Sequence, residues 1–310
     1  MSSALDQLRS LSTIVVDSGD LDAIARARPV DATTNPSLIL KAVESENAVV
    51  ARWIEEVRGA TTDVDRRRWM LGARFASRIQ DDVERWVSLE ADATLSFDTA
   101  ATIACAETLL DEVASAGGDP RRILIKIAAT WEGIRAAQVL ESRGIACNLT
   151  LIFSRAQAQL CAAGGITLIS PFVGRISDWH RAQGAQFDHA EDDPGVASVR
   201  GIDAWCKAHG YGTLVMGASF RNTGQILALA GCDALTIAPD LLQQLADSEQ
   251  AVEPGIQRHG LSAAELAETP PDASAYALAI AEDAMAAEKL AEGIRRFAAD
   301  QRALEARLQG

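Results

Sequence analysis

Lysine is scarce in this chain: four among 310 residues, against twenty-five arginines. Basic residues as a whole are outnumbered by acidic ones, 29 to 43, for a formal net charge of -14. A chain this acidic lacks the basic surface that nucleic acid and anionic membranes require, so neither is expected as a partner. A local basic pocket for an anionic metabolite remains open. No apolar stretch reaches the ~18 residues of a membrane span. Met1–Ser10 carries Asp6 and Arg9 without an apolar core, unlike a signal peptide, and a cytoplasmic location is expected. Cysteine is sparse and scattered: Cys105, Cys147, Cys161, Cys206 and Cys232 are odd in number and show no C-x-x-C spacing. That excludes a disulfide framework and a zinc site, and it predicts buried free thiols. The four histidines, His180, His189, His209 and His259, fall outside the ends of the apolar runs, so no metal is expected. No G-x-G-x-x-G follows the first apolar run, which weakens a dinucleotide-binding reading.

Short β-rich runs alternate with longer helical patterns. The runs are Thr13–Val16, Pro29–Thr33, Trp86–Glu90, Ile123–Ala128, Ile145–Asn148, Ile166–Ser170, Thr213–Met216 and Ala234–Ile237. Helical periodicity spans Thr99–Ala116, stopped by Gly117-Gly118 and Pro120, and Trp131–Ser142, stopped near Gly144. Parallel strands need a crossover, usually a helix, for each return, so eight alternating units predict a parallel sheet. Eight is the count of a closed (β/α)8 barrel, with an open doubly wound sheet as the alternative. The expected layout is one barrel domain over residues 1–310. A helical insertion of two or three helices over 36–85 follows strand two. One or two extra C-terminal helices cover 274–308, and Gln250–Pro271 reads as a loop with one short helix.

Lys126 stands inside Ile123-Leu124-Ile125-Lys126-Ile127-Ala128, a run that reads as a buried strand. A lysine is rarely buried without a partner, and burial favours its neutral, nucleophilic form. Such an amine can form a Schiff base with a carbonyl. Barrel chemistry sits at the C-terminal ends of the strands. There the sequence offers Asp17, then Thr33 and Asn35, then Glu90, Lys126, Asn148 with Thr150, Ser170 followed by Phe172 and Arg175, and Ser219 with Arg221. The eighth strand, ending in Ala238-Pro239-Asp240, offers nothing comparable. Each residue also has a plain structural reading. Asp17 can begin a turn and Asn35-Pro36 a helix. Glu90 can pair with an arginine, and Ser219 can cap a helix. Their convergence on one mouth beside a buried lysine favours a site. In that site Lys126 attacks a ketone, Glu90 is the candidate acid for dehydration and Asp17 the candidate base. Asn35, Asn148 and Ser170 hold hydroxyls. Arg175 and Arg221 grip a phosphate, aided by backbone N–H groups of a helix start after Ser219.

These motifs resemble the class I transaldolases of the pentose phosphate pathway, in the long bacterial and eukaryotic form. The resemblance rests on Thr13-Ile14-Val15-Val16-Asp17-Ser18-Gly19-Asp20, Asp31-Ala32-Thr33-Thr34-Asn35-Pro36-Ser37-Leu38-Ile39-Leu40 and Ile123–Trp131. It continues in Cys147–Leu151, Ile169–Arg175, Met216–Asn222 and Leu290–Arg295. It implies transfer of a dihydroxyacetone unit from sedoheptulose 7-phosphate or fructose 6-phosphate to an aldose phosphate, without cofactor or metal, often by a homodimer. It implies Lys126 as nucleophile on strand four, Asp17 as base of the carbon–carbon step, and Glu90 as acid/base through a water near Thr150. Asn35 and Asn148 would bind the dihydroxyacetone hydroxyls, with Ser170, Thr33 and Phe172 beside them. Arg175, Ser219 and Arg221 would bind phosphate. The chain departs from the pattern at Gln250–Ala281, which looks shortened, at Phe97, where tyrosine is commoner, and at His180, in an often aromatic slot. Two other readings compete: a Schiff-base fructose-6-phosphate aldolase that releases dihydroxyacetone, and a barrel that only binds a sugar phosphate.

Overall fold

The computed structural model describes residues 2–45, 47–256 and 270–309. Eight parallel strands close into a barrel in sequence order. They are β1 (Thr13–Asp17), β2 (Asp31–Thr33), β3 (Val87–Glu90), β4 (Ile123–Ala128), β5 (Cys147–Ile152), β6 (Leu168–Pro171), β7 (Leu214–Gly217) and β8 (Ala234–Ile237). Pairing of β8 with β1 closes the ring, which rules out the open sheet. Helix α1 (Ala4–Arg9) precedes the barrel and α2 (Leu21–Ala27) follows β1. Three helices, α3 (Pro36–Val43), α4 (Ala48–Ala60) and α5 (Val64–Gln80), fill the long connection to β3. The later connections carry α6 (Thr99–Ser115), α7 (Trp131–Ser142), α8 (Arg155–Ala163), α9 (Gly174–Ala182), α10 (Pro194–Ala208) and α11 (Thr223–Leu227). After β8 come α12 (Pro239–Ala246), α13 (Ala273–Glu282) and α14 (Ala284–Gln309). Of the loop expected over Gln250–Pro271, residues 250–256 and 270–271 carry no helix; residues 257–269, with His259, lie outside the described residues, so the expected short helix is not seen among those described.

The two-residue period of a strand sorts its side chains between two environments. Ile123, Ile125 and Ile127 face the helices, as do Val87, Leu89, Cys147, Leu149, Ile169, Val215, Leu235 and Ile237 in the outer core. The alternate positions point inward. Val15, Leu124, Leu168, Met216 and Ala234 pack together as an apolar plug inside the barrel. One step further the inward positions turn polar at Asp17, Lys126, Ser170 and Thr236, while β7 leads to Ala218. Register sets Glu90, Lys126 and Asn148 side by side on three adjacent strands, and Asp17 beside Thr33.

Six strands depart from the expected runs, β1, β3, β6 and β7 by only one or two residues at an end; the departures of β2 and β5 have visible causes. β2 begins at Asp31 rather than Pro29, whose ring nitrogen has no hydrogen to give a ladder. β5 runs on to Ile152, past Asn148. Its register against β6 shifts between Leu149 and Ile152, and Leu151 takes φ +58. Such an irregularity re-aims side chains near a barrel rim.

The long helix α14 crosses the C-terminal mouth, packing on α3, α5, α9 and β5. Arginines from the connecting helices fasten it. Arg68 on α5, itself largely buried, donates to Glu305 at 2.9 Å and to Asp92 at 2.8 Å. Arg67 donates to the Leu308 carbonyl at 2.6 Å and Arg58 to that of Arg307 at 2.5 Å. Cations at the last carbonyls suit the negative end of a helix dipole.

Candidate active site

Lys126 is 5% exposed, inside the barrel on β4. Its Nζ donates to the Thr34 carbonyl at 3.1 Å and lies 3.3 Å from Glu90 Oε2. The second contact is an ion pair without hydrogen-bond alignment, because Glu90 Oε2 has no hydrogen-bond partner among the described residues. Glu90 is thus paired with a lysine, not an arginine. Burial raises its pKa above the ordinary carboxylate range, against the pull of Lys126 and Arg175. The nearby charge of Asp17 pushes the same way as burial. A carboxyl so placed holds its proton longer with rising pH and can give it up as a general acid. Thr150 Oγ1 on the neighbouring strand is also buried, without a hydrogen-bond partner among the described residues. The other three lysines lie elsewhere. Lys41 is exposed, Lys207 pairs with Asp233 and Lys289 with Glu292.

A cavity opens at this mouth, lined by Asp17, Thr33, Asn35, Lys126, Thr150, Ser170, Phe172, Arg175 and Ser219 among others. Thr33 Oγ1 donates to Asp17 Oδ1 at 2.8 Å and shares a 2.9 Å hydrogen bond with Thr236 Oγ1. Asn35 does double duty: its Oδ1 caps α3 by accepting from Leu38 N at 2.9 Å. Asn148 is fully buried just behind the wall. Ser170 Oγ donates to its Oδ1 at 2.6 Å, and its Nδ2 donates to Ser88 Oγ at 3.0 Å, so its carboxamide orientation is fixed.

Arg175 and Arg221 differ in kind. Arg175, in the first turn of α9, lies between the rings of Phe172 and Phe297, 5.0 Å and 5.7 Å from their centroids. Its Nη1 is buried and without a hydrogen-bond partner among the described residues. Burial, followed by repulsion from Arg296 and Arg221, holds its pKa below the usual guanidinium value. An anion would relieve all three conditions. Arg221 is exposed and largely engaged already. It donates to Asp178 Oδ2 from Nε at 3.0 Å and from Nη2 at 2.8 Å, and to the Ser219 carbonyl at 3.1 Å. Ser219 is no helix cap. It sits at φ +63, and Asn222 caps the five-residue α11.

Sequence reasoning missed two contributors. Thr236 on β8 gives the eighth strand a polar group after all, legible only once inward alternation is counted back from the strand end. Phe297 reaches the cavity from α14, far along the chain, and no local pattern announces it. Of the departures, Phe97 stands 65% exposed before α6, and His180 packs edge-on against Trp179 at 5.0 Å. Among the described residues no cluster of side chains could hold a metal ion, and no helix is long and apolar enough to cross a membrane.

A closed (β/α)8 barrel with a buried lysine at the C-terminal mouth has the layout of a Schiff-base barrel enzyme. The chain belongs to the Transaldolase/Fructose-6-phosphate aldolase family, whose model matches residues 14–308. It is 50% identical over 322 residues to a transaldolase of Alteromonas mediterranea, covering 100% of this chain and 98% of that one. It is 51% identical over 314 residues to a transaldolase of Aliivibrio fischeri, with 99% and 98% covered.

Proposed function

We propose that this protein moves a dihydroxyacetone unit from fructose 6-phosphate or sedoheptulose 7-phosphate to an aldose phosphate such as erythrose 4-phosphate or glyceraldehyde 3-phosphate. The carrying observation is Lys126: a buried amine at the cavity, 3.3 Å from a carboxyl whose pKa is raised. Lys126 Nζ attacks the ketone carbon to give a carbinolamine. Glu90 protonates the departing hydroxyl through a water held near Thr150, leaving an iminium. Asp17, steadied by Thr33, then takes the proton of the hydroxyl on the fourth carbon. The bond between the third and fourth carbons breaks, the aldose phosphate leaves, and its electron pair rests in an enamine on Lys126. The enamine attacks the acceptor aldehyde and the steps run in reverse. The iminium is the electron sink, so the mechanism calls for no metal or organic cofactor.

Asn35, Asn148 and Ser170 orient the dihydroxyacetone hydroxyls, with Phe172 as an apolar wall. Arg175, Ser219 and Arg221 take the phosphate. The five cysteine thiols are free and buried, which fits a cytoplasmic enzyme. The test is turnover of fructose 6-phosphate by the purified protein with and without erythrose 4-phosphate. Sedoheptulose 7-phosphate formed only with acceptor supports transfer. Release of free dihydroxyacetone at a comparable rate without acceptor would make the protein an aldolase instead.

A further inference from the structure

Behind the phosphate-binding residues lies a buried polar cluster that the mechanism does not use. Ser177 on α9, Asp193 at the start of α10 and Gln225 on α11 are 0%, 2% and 1% exposed. Asp193 Oδ1 accepts from Ser177 Oγ at 2.6 Å, and also caps α10 through Gly195 N at 2.8 Å and Val196 N at 3.4 Å. Asp193 Oδ2 accepts from Gln225 Nε2 at 2.8 Å, and the same Nε2 donates to Ser177 Oγ at 3.0 Å. Gln225 Oε1 accepts the backbone N–H of Arg221 at 2.8 Å. The carboxamide cannot flip: its oxygen must meet an N–H and its nitrogen must meet a carboxylate.

The cluster bridges two phosphate-binding elements. Helix α9 carries Arg175 two residues before Ser177, and the turn after β7 carries Ser219 and Arg221. The backbones meet here without slack. Gly174 N donates to the Ser219 carbonyl at 2.9 Å. A Cβ at Gly174 would stand 2.3 Å from that oxygen, and one at Gly195 would stand 2.2 Å from the Val173 carbonyl. Three buried polar side chains cost stability unless every bond is made, whereas an apolar filler would serve if packing alone were needed. What the polar cluster adds is direction, because it fixes where the Arg221 backbone sits relative to α9.

We propose that Asp193 and Gln225 are positioning residues for phosphate recognition, setting the separation and tilt of Arg175 and the Ser219–Arg221 turn. The inference rests on the phosphate reading of those three residues. It is tested with Gln225→Glu, which sets two carboxylates face to face, and with the double variant Asp193→Asn/Gln225→Glu, which exchanges the two group types and restores a donor opposite an acceptor. The readouts are KM and kcat for fructose 6-phosphate and the inhibition constant of inorganic phosphate. In Gln225→Glu both KM and the phosphate constant should rise together by roughly tenfold or more, with kcat within about threefold, the scale expected of a misplaced binding group. The double variant should recover most of that loss. A fall in kcat and melting temperature with the phosphate constant unmoved would overturn the proposal, as would a double variant no better than the single one. Should Gln225→Glu fail to fold, Ser177→Ala removes one donor only and is judged on the same two constants. Arg175→Ala separates the layers of the argument. If it too leaves phosphate inhibition unchanged, the phosphate reading fails; if it weakens inhibition while Gln225→Glu does not, only the positioning role fails.

Discussion

Replacing Glu90 by glutamine keeps the side chain's shape and removes its titration. The two side chains of the Lys126–Glu90 pair are 6% and 5% exposed and their charges stand 3.3 Å apart. Coulomb's law at an effective dielectric near 20 gives roughly 5 kcal/mol of attraction, and burying two ions costs several kcal/mol each. The raised pKa of Glu90 shows which side prevails there, since burial outweighs the attraction of Lys126. Ionising the pair is therefore no net source of stability. Glu90→Gln should cost about 1–3 kcal/mol, the scale of a disturbed buried polar contact, rather than the ~3–5 kcal/mol of a broken buried ion pair. The pH trend follows from the direction of the shift. A carboxyl raised in the folded state stabilises fully below its unfolded pKa, and that contribution is lost as pH rises through the folded value. The melting-temperature deficit of the variant should thus shrink as pH climbs from ~4, the unfolded carboxylate range, through the raised pKa. Imine formation, followed by timed borohydride quenching, should slow on the order of 10²–10⁴-fold. An imine rate within about threefold of the parent, or a deficit that widens with pH, would refute the acid/base assignment.

Asp17→Asn should spare imine formation and block cleavage, so quenching should trap the intact six-carbon adduct; trapping of the three-carbon adduct at the parent rate would remove Asp17 as base. Arg175→Ala should raise KM for fructose 6-phosphate by roughly 10–100-fold, the worth of a charged hydrogen bond, and Arg221→Ala should raise it less, because Asp178 already occupies that guanidinium. Equal losses for both would contradict the distinction. At Gly293 a Cβ would stand 2.6 Å from the fully buried Leu151 and 3.2 Å from Arg175 Nη1. Gly293→Ala should therefore cost about 1–3 kcal/mol of stability and also raise KM, and an unchanged melting curve would argue against α14 as the roof of the cavity.

What the sequence made legible, it made legible through period and context. Lys126 announced itself because five of its neighbours are apolar and strand-forming, and a lysine there needs a reason. Eight runs separated by helical patterns sufficed for the barrel, since a parallel sheet leaves few other closures. Three kinds of feature stayed hidden. The extension of β5 depends on a left-handed Leu151, which no β-branched pattern signals. Thr236 and Phe297 join the cavity through ring closure and through a helix that returns from the end of the chain, both long-range events. Gln225 and Asp193 look like an ordinary helix residue and an ordinary cap, and their mutual contact exists only after folding.

The central claim is that Lys126 carries the substrate covalently. Borohydride reduction during turnover of fructose 6-phosphate, followed by peptide mass mapping, tests it directly, and only four lysines compete. The account predicts a reduced dihydroxyacetone adduct on the peptide bearing Lys126. An adduct on Lys41, Lys207 or Lys289, or none while the sugar phosphate still binds, would contradict it.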